Sequence, residues 1–124
     1  MKKIREVNYD NTLPKNLPLM FQDRAINYGN SVVQMAKDTN GKFQNYTYKQ
    51  VYQEIIAFAA KLRDLGIKRG NPIGLISDNR REWLITDFAI MSLGACDVPR
   101  GCDSMGKEIR FILNYVKCEF SFFE

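Results

Sequence analysis

The apolar pattern is helical after residue 47 and changes to a strand-like run after residue 66. Thr47 and Gln50 have the spacing of a capping box, which begins a helix by satisfying two backbone amides of its first turn. The apolar positions that follow keep helical intervals: Val51, Ile55, Phe58, Leu62 and Leu65. Gly66 can close this helix in a left-handed conformation. Residues 72–77 are short, apolar and flanked by turn residues, which predicts a strand buried on both faces.

The spacing of apolar residues also predicts the helices and strands in the rest of the chain. We predict helices over residues 17–28, 48–65, 80–93 and about 105–117, and strands over residues 31–37, 42–46, 72–77, 95–98 and 119–124. Asn40-Gly41 is a strong hairpin signal between the first two strands, and Pro99 should end the fourth. For the last two helices we expect Asn79, and then Asp103 or Ser104, as caps.

These elements predict an α/β fold in which an N-terminal helix and a β-hairpin precede alternating helices and strands of a mainly parallel sheet. Residues 1–16 are polar and are expected to form an extended lead-in. The last strand is apolar and no covering helix follows it, which would leave a face or an edge of the sheet unprotected. We therefore interpret residues 17–124 as part of a larger domain, and an intended edge strand is the alternative.

Composition narrows the class of protein. The 124 residues include 45% apolar and 26% charged residues, which is ordinary for a globular domain. The basic N-terminus lacks the apolar region of a signal peptide, so a cytoplasmic location is expected. The net charge of +4 arises from interleaved acids and bases, which favours a solvated surface over nucleic-acid binding.

Histidine is absent and the cysteines are few, which limits the available chemistry. A Ser-His-Asp or Cys-His catalytic arrangement cannot be built without histidine. The three cysteines form no disulfide framework and lack the spacing of a zinc site, so we expect them to be buried as small apolar residues. The cysteines are Cys96, Cys102 and Cys118.

Several carboxylates are candidates for acid–base chemistry, namely Asp78, Glu82, Asp87, Asp97 and Asp103. Asp78 and Glu82 are explained more simply as favourable charges at a helix N-terminus. Residues 78–81 nevertheless follow the carboxyl end of a predicted parallel strand, where open α/β sheets bind ligands. Trp83, which comes next, is interpreted as a core residue.

Residues 101–107 match most of a phosphate-binding loop, with Gly101, Gly106 and Lys107 correctly spaced before a helix. The last position of that motif requires Ser or Thr for Mg²⁺, and Glu108 stands there instead. We therefore favour an ordinary helix start with glycines in the loop. A small nucleotide-binding protein remains a third and weaker interpretation.

Five motifs in order resemble the N-terminal segment of long-chain fatty-acid–CoA ligases, which belong to the adenylate-forming (AMP-binding) superfamily. They lie at residues 17–25, Thr47-Tyr-Lys-Gln-Val, residues 65–70, Asp78-Asn-Arg-Arg-Glu-Trp83 and residues 93–99. The resemblance implies an enzyme that joins a fatty acid to CoA through an acyl-adenylate and uses ATP and Mg²⁺. It also implies that the phosphate-binding loop and the catalytic lysine lie downstream of Glu124.

The motifs present here resemble scaffold, so no residue is assigned as catalytic, cofactor-binding or metal-binding. The expected partners are those of the parent enzyme: fatty acid, ATP, CoA and the remainder of its own chain, with peripheral membrane contact left open. The chain alone is predicted to be inactive. The rival interpretation is a free-standing α/β interaction module that docks through its last strand.

Overall fold

The computed structural model describes residues 14–124. Nine elements follow in the predicted order. The helices are α1 (Leu17–Asn27), α2 (Tyr48–Asp64), α3 (Arg81–Ser92) and α4 (Gly106–Tyr115). The strands are β1 (Val32–Lys37), β2 (Phe43–Thr47), β3 (Pro72–Ile76), β4 (Cys96–Arg100) and β5 (Phe120–Phe123). The predicted lead-in of residues 1–16 lies mostly outside the described residues.

The strands form two sheets. β1 and β2 make an antiparallel hairpin, while β4, β3 and β5 form a parallel sheet in that order. β3 is therefore central and β5 lies at an edge, and β3 is buried as the sequence predicted for this strand. Both this α/β class and the parallel arrangement are confirmed.

The core lies between one face of the parallel sheet and helices α1 to α3. Val51, Ile55 and Leu62 of α2 are buried there, as the helical spacing predicted. Leu65, the last residue of that predicted stripe, is instead 62% exposed, because it lies beyond the end of α2 as its C-cap. The rings of Phe58 and Phe122 lie 5.7 Å apart and connect α2 to the edge strand.

Helix α4 covers the opposite face of the parallel sheet through a close approach at Gly74. A Cβ atom at this position would lie 2.8 Å from Leu113 of α4 and 2.6 Å from the hydroxyl of Ser121. Side chains alternate between the two faces of a strand, so Ser121 faces α4 while Phe122 faces the core. None of the α4 side chains is fully buried. Across residues 14–124, no helix is both long and apolar enough to cross a bilayer.

The predicted capping box at Thr47 is confirmed, but the cap residues predicted for the last two helices are wrong. At Thr47 both hydrogen bonds of the capping box are present, and Gly66 closes α2 with φ of 92°. Helix α3 has Arg80 at its N-cap, in place of Asn79, and α4 has Met105, in place of Asp103 or Ser104. Neither of these caps makes a side-chain hydrogen bond to its helix.

Three further predictions need correction. Pro99 does not end β4 but lies within it, which is tolerated because β4 is an edge strand and needs fewer N–H donors. Cys96 and Cys102 are exposed and Cys118 is half-buried, so the cysteines do not serve as buried apolar residues. Trp83 is half-buried beside a cleft and lies outside the buried core cluster.

Candidate functional site

The carboxyl ends of the three parallel strands meet at one edge of the sheet. Ile76 pairs with Arg100 on one side and with Phe123 on the other. The pairing continues one residue further, because Ser77 N donates to Arg100 O at 3.1 Å and Glu124 N donates to Ile76 O at 3.1 Å. The loops after β3 and β4 therefore leave the sheet side by side. Open α/β sheets bind ligands at this edge.

A polar cluster joins the β3–α3 loop to the end of β5. The carboxylate of Glu124 accepts from Ser77 Oγ at 2.8 Å and from Asp78 N at 3.3 Å, and it forms an ion pair with Arg80. Arg80 also pairs with Glu82 at 2.8 Å. The bond from the Ser77 hydroxyl, assisted by Arg80, lowers the pKa of Glu124 below its ordinary value. The bond from Arg80 likewise lowers the pKa of Glu82.

Two clefts flank this loop, and Asn79 lines both of them. The larger cleft has a volume of about 800 Å³ and lies between the β-hairpin and the start of α3. The smaller has a volume of about 370 Å³ and lies on the side of β4, beside Trp83 and Arg100. The charged side chains that line the larger cleft are Lys37, Asp78, Arg80, Arg81, Glu82 and Glu124. The larger cleft is thus lined by both positively and negatively charged side chains.

Arg81 tethers the hairpin to the helical core at the wall of the larger cleft. Its guanidinium carbon lies 3.8 Å from the ring centroid of Tyr46, and the side chain forms an ion pair with Glu54 of α2. Gln34 Nε2 donates to the Arg81 carbonyl at 3.2 Å. Because a desolvated cation–π contact is worth about 2 kcal/mol, Arg81 fixes the hairpin firmly at this edge.

The five carboxylates singled out from the sequence do not converge. Asp78 and Glu82 lie at the carboxyl edge, and Asp103 lies on the loop after β4. Asp87 of α3 instead meets Asp97, which pairs with Ile73 near the opposite end of the sheet. Burial, the hydrogen bond with Asp97 and repulsion by its charge raise the pKa of Asp87 to about 7. Within residues 14–124, no three His, Cys, Asp or Glu side chains cluster as a metal site requires.

The segment that resembles a phosphate-binding loop is a turn closed on itself. Ser104 N donates to Gly101 O at 3.2 Å, so that amide points inward. The Asp103 carboxylate folds back over Gly101, where a Cβ atom would lie 2.5 Å from Asp103 Oδ1. Lys107 and Glu108 are both exposed at the start of α4. This geometry agrees with an ordinary helix start.

The sequence pattern singles out residues 78–81 but does not predict the residues that bond to them. Ser77 and Glu124 bond to this segment, and Gln34, Tyr46 and Glu54 hold Arg81. A signal for Glu124 was present, because it is the polar residue that ends a predicted strand at the carboxyl edge. Its partner depended on the strand order, which the sequence pattern does not give.

Comparison with known proteins identifies a family. Residues 21–124 match the model of the family described as AMP-binding enzyme. The chain is 38% identical over 95 residues to a chloroplastic long-chain-fatty-acid–[acyl-carrier-protein] ligase of Arabidopsis thaliana, covering 77% of this chain and 13% of that protein. It is 30% identical over 99 residues to a crotonobetaine/carnitine–CoA ligase of Shigella flexneri, covering 80% of this chain and 19% of that protein. The chain thus spans less than a fifth of the length of these relatives.

Solved structures support the fold. The N-terminal subdomain of Klebsiella oxytoca NpsA superposes with a TM-score of 0.80 at 20% identity, covering 89% of this chain and 28% of that one. The crystal structure of IdnL1 gives a TM-score of 0.82 at 19% identity, covering 90% of this chain and 23% of that one. The matched family model spans nearly the whole described region, and the chain therefore belongs to the AMP-binding enzyme family.

Proposed function

We propose that this chain is the N-terminal part of an ATP-dependent acyl-CoA synthetase acting on long-chain fatty acids. In the complete reaction a fatty-acid carboxylate attacks the α-phosphate of ATP, which gives an acyl-adenylate and releases pyrophosphate. The CoA thiolate then attacks the acyl carbon and releases AMP. The observation that carries the proposal is the family match over residues 21–124. The names of the relatives include ligases for both CoA and acyl carrier protein, and we propose CoA as the acceptor.

Within that enzyme, residues 17–124 serve as scaffold and form an incomplete AMP-binding domain. The polar groups at the carboxyl edge are engaged with one another, as the Glu124, Arg80 and Glu82 contacts illustrate. Among the described residues no three His, Cys, Asp or Glu side chains cluster as a self-contained metal site requires, and the turn at Gly101 is closed by its own hydrogen bond. No chemical step is therefore assigned to them. ATP, Mg²⁺ and CoA belong to the remainder of the parent enzyme.

Pyrophosphate exchange tests the scaffold role. The purified 124-residue chain, given ATP, Mg²⁺ and palmitate, should incorporate no labelled pyrophosphate into ATP above the level without palmitate. A complete acyl-CoA ligase assayed alongside is the positive control. Palmitate-dependent exchange by the chain alone would contradict the proposal that its residues supply no chemistry.

A chimera tests the assignment to ligases more directly. Residues 21–124 would replace the matching segment of the Arabidopsis relative, whose sequence is 38% identical over 95 residues. We expect the chimera to form acyl-adenylate, since scaffold segments with the same fold are interchangeable when their packing surfaces agree. A chimera that folds and binds ATP but forms no acyl-adenylate would contradict the assignment. We also propose a cytoplasmic location, which cell fractionation with an antibody to this chain tests.

The exposed edge of β5 favours a second function, that of a free-standing module that binds a partner by strand addition. β5 is an edge strand of the parallel sheet, and its last residue, Phe123, is 64% exposed. A chain that binds little of a dye specific for apolar surface would favour this alternative, and strong binding of that dye would favour the fragment of a ligase.

A further inference from the structure

The side chain of Glu124 connects the end of β5 to the loop that follows β3. We propose that Glu124 is a positioning residue, which holds the segment Ser77–Arg80 in the conformation that separates the two clefts at the carboxyl edge. This inference rests on the proposed function, because the carboxyl edge of the sheet matters for binding only if the chain is part of a ligase. The contacts themselves are independent of any activity.

The backbone delivers the Glu124 carboxylate to this place. Glu124 N donates to Ile76 O at 3.1 Å, so the residue continues the pairing of β5 with β3. The side chain then reaches past the end of β3 to Ser77 Oγ at 2.8 Å and to Asp78 N at 3.3 Å. A strand that is itself held by the sheet therefore presents a fixed acceptor to the neighbouring loop.

Helix α3 does little to fix the loop that precedes it, so the Glu124 carboxylate is important as an acceptor for that loop. Helix α3 begins at Arg81 without a side-chain cap, so its own start does not fix the residues before it. Beyond its immediate neighbours, the segment Ser77–Asp78 is joined to Arg100 through Ser77 N and to Glu124 through two hydrogen bonds, and Asp78 also contacts Cys102. Hydrogen bonds to a charged acceptor are roughly twice as strong as neutral ones, which suits a single carboxylate to this task.

The two carboxylates around Arg80 are a second reason to assign a positioning role to Glu124. Arg80 lies between Glu124 and Glu82, and both pairs are about half exposed to solvent. A single exposed ion pair contributes little to stability, but here two carboxylates converge on one guanidinium and restrict its direction. Arg80 and Asn79 line the larger cleft, and Asn79 also lines the smaller one. Fixing this segment therefore fixes a shared wall of both clefts.

Amide hydrogen exchange measured by NMR tests the proposal on the 124-residue chain. In Glu124→Ala, exchange at the Asp78 amide should become about tenfold faster, since a hydrogen bond to a charged group is lost. The signals of the Arg80 Nη1 protons should also move, because Glu124 pairs with that nitrogen. Glu124→Gln should restore most of the protection at Asp78, because its amide oxygen still accepts, but not the Arg80 signal. All variants keep the terminal carboxylate of residue 124, so the differences report the side chain alone.

Glu119→Gln is the matched control, since Glu119 is exposed just before the same strand. It should leave both signals unchanged. Equal exchange at Asp78 in the unaltered chain and in Glu124→Ala would overturn the proposal. If the alanine variant fails to fold, a pH titration of the unaltered chain decides. The Asp78 amide shift should then follow the titration of the Glu124 carboxyl carbon, and an amide shift that does not follow it contradicts the proposal.

None of these measurements uses ATP or a fatty acid. A negative result would therefore overturn the role of Glu124 and leave the ligase assignment standing. Conversely, failure of the chimera to form acyl-adenylate would overturn that assignment without affecting the exchange results. The two outcomes are distinguishable by design.

Discussion

Replacing Asp87 with asparagine should remove a pH dependence from the stability of this chain. Asp87 is half-buried on α3 and faces Asp97 of β4, and its pKa rises to about 7 from 3.8. Burial is the largest cause, followed by the hydrogen bond with Asp97 and the charge of that residue. In the unfolded chain Asp87 would lose its proton near its ordinary pKa. The folded state therefore binds one proton more than the unfolded state between about pH 4 and pH 7.

The sign follows from this difference in bound protons. Stability contributed by Asp87 is fully present below about pH 4 and is lost as the pH rises toward the folded pKa of about 7. The whole shift from 3.8 to about 7 corresponds to about 4 kcal/mol. Because the site is partly open to solvent, screening reduces this value, and we expect about 1–2 kcal/mol. Asparagine stays neutral and can still donate to Asp97.

Urea denaturation of both proteins at several pH values between 4 and 8 measures the effect. Asp87→Asn should be close to the unaltered chain near pH 4 and more stable by about 1–2 kcal/mol at pH 8. Asp64→Asn makes the same chemical change at the exposed end of α2 and controls for the substitution itself. A stability difference between Asp87→Asn and the unaltered chain that stays constant from pH 4 to pH 8 would refute the reasoning.

Three other substitutions address the cap, the sheet and the carboxyl edge. Thr47→Ala should lower the free energy of unfolding by about 1 kcal/mol, measured in urea, because the capping box at the start of α2 loses its acceptor. Gly74→Ala should cost about 1–3 kcal/mol in the same assay, since the new methyl would lie 2.8 Å from Leu113; an unchanged midpoint would place α4 further from the sheet. Local desolvation and the charge of Asp78 raise the pKa of Cys102. Asp78→Asn should therefore speed alkylation of Cys102 at pH 8, measured by mass spectrometry of its peptide, and a slower rate would contradict this.

Local chemistry explains which parts of the fold could be predicted from the sequence. The capping box at Thr47 and Gln50 was predicted correctly because its partners are three residues apart and need no other element. The cap at Asn79 was predicted wrongly, because α3 begins only at Arg81 with Arg80 as its N-cap. Helix and strand types depend on short-range pattern, while the hydrogen bond that joins Asp78 to Glu124 connects residues 46 positions apart, which the pattern does not give.

In the candidate site, too, local features were predictable from the sequence and long-range contacts were not. Residues 78–81 were singled out because loops at the carboxyl end of a parallel strand are recognisable from the order of elements. The stacking of Arg81 on Tyr46 was not predicted, because it depends on how the hairpin packs against α3. The contact of Asp87 with Asp97 likewise depends on the pairing of β4 with β3. Sequence pattern thus located the edge, and only tertiary packing supplied its partners.

The central position of β3 also has a consequence for synthesis of the chain. Both strands that pair with it are made later, and Ile73 must wait for Phe120 before its second neighbour exists. At a translation rate of about 5–20 residues per second, the 47 residues added after Ile73 up to and including Phe120 (120 − 73) take roughly 2 to 9 seconds to be made. During that interval the apolar residues of β3 lack at least half of their sheet partners. The strand best protected in the folded protein is therefore among the most exposed to misassembly while the chain is being made.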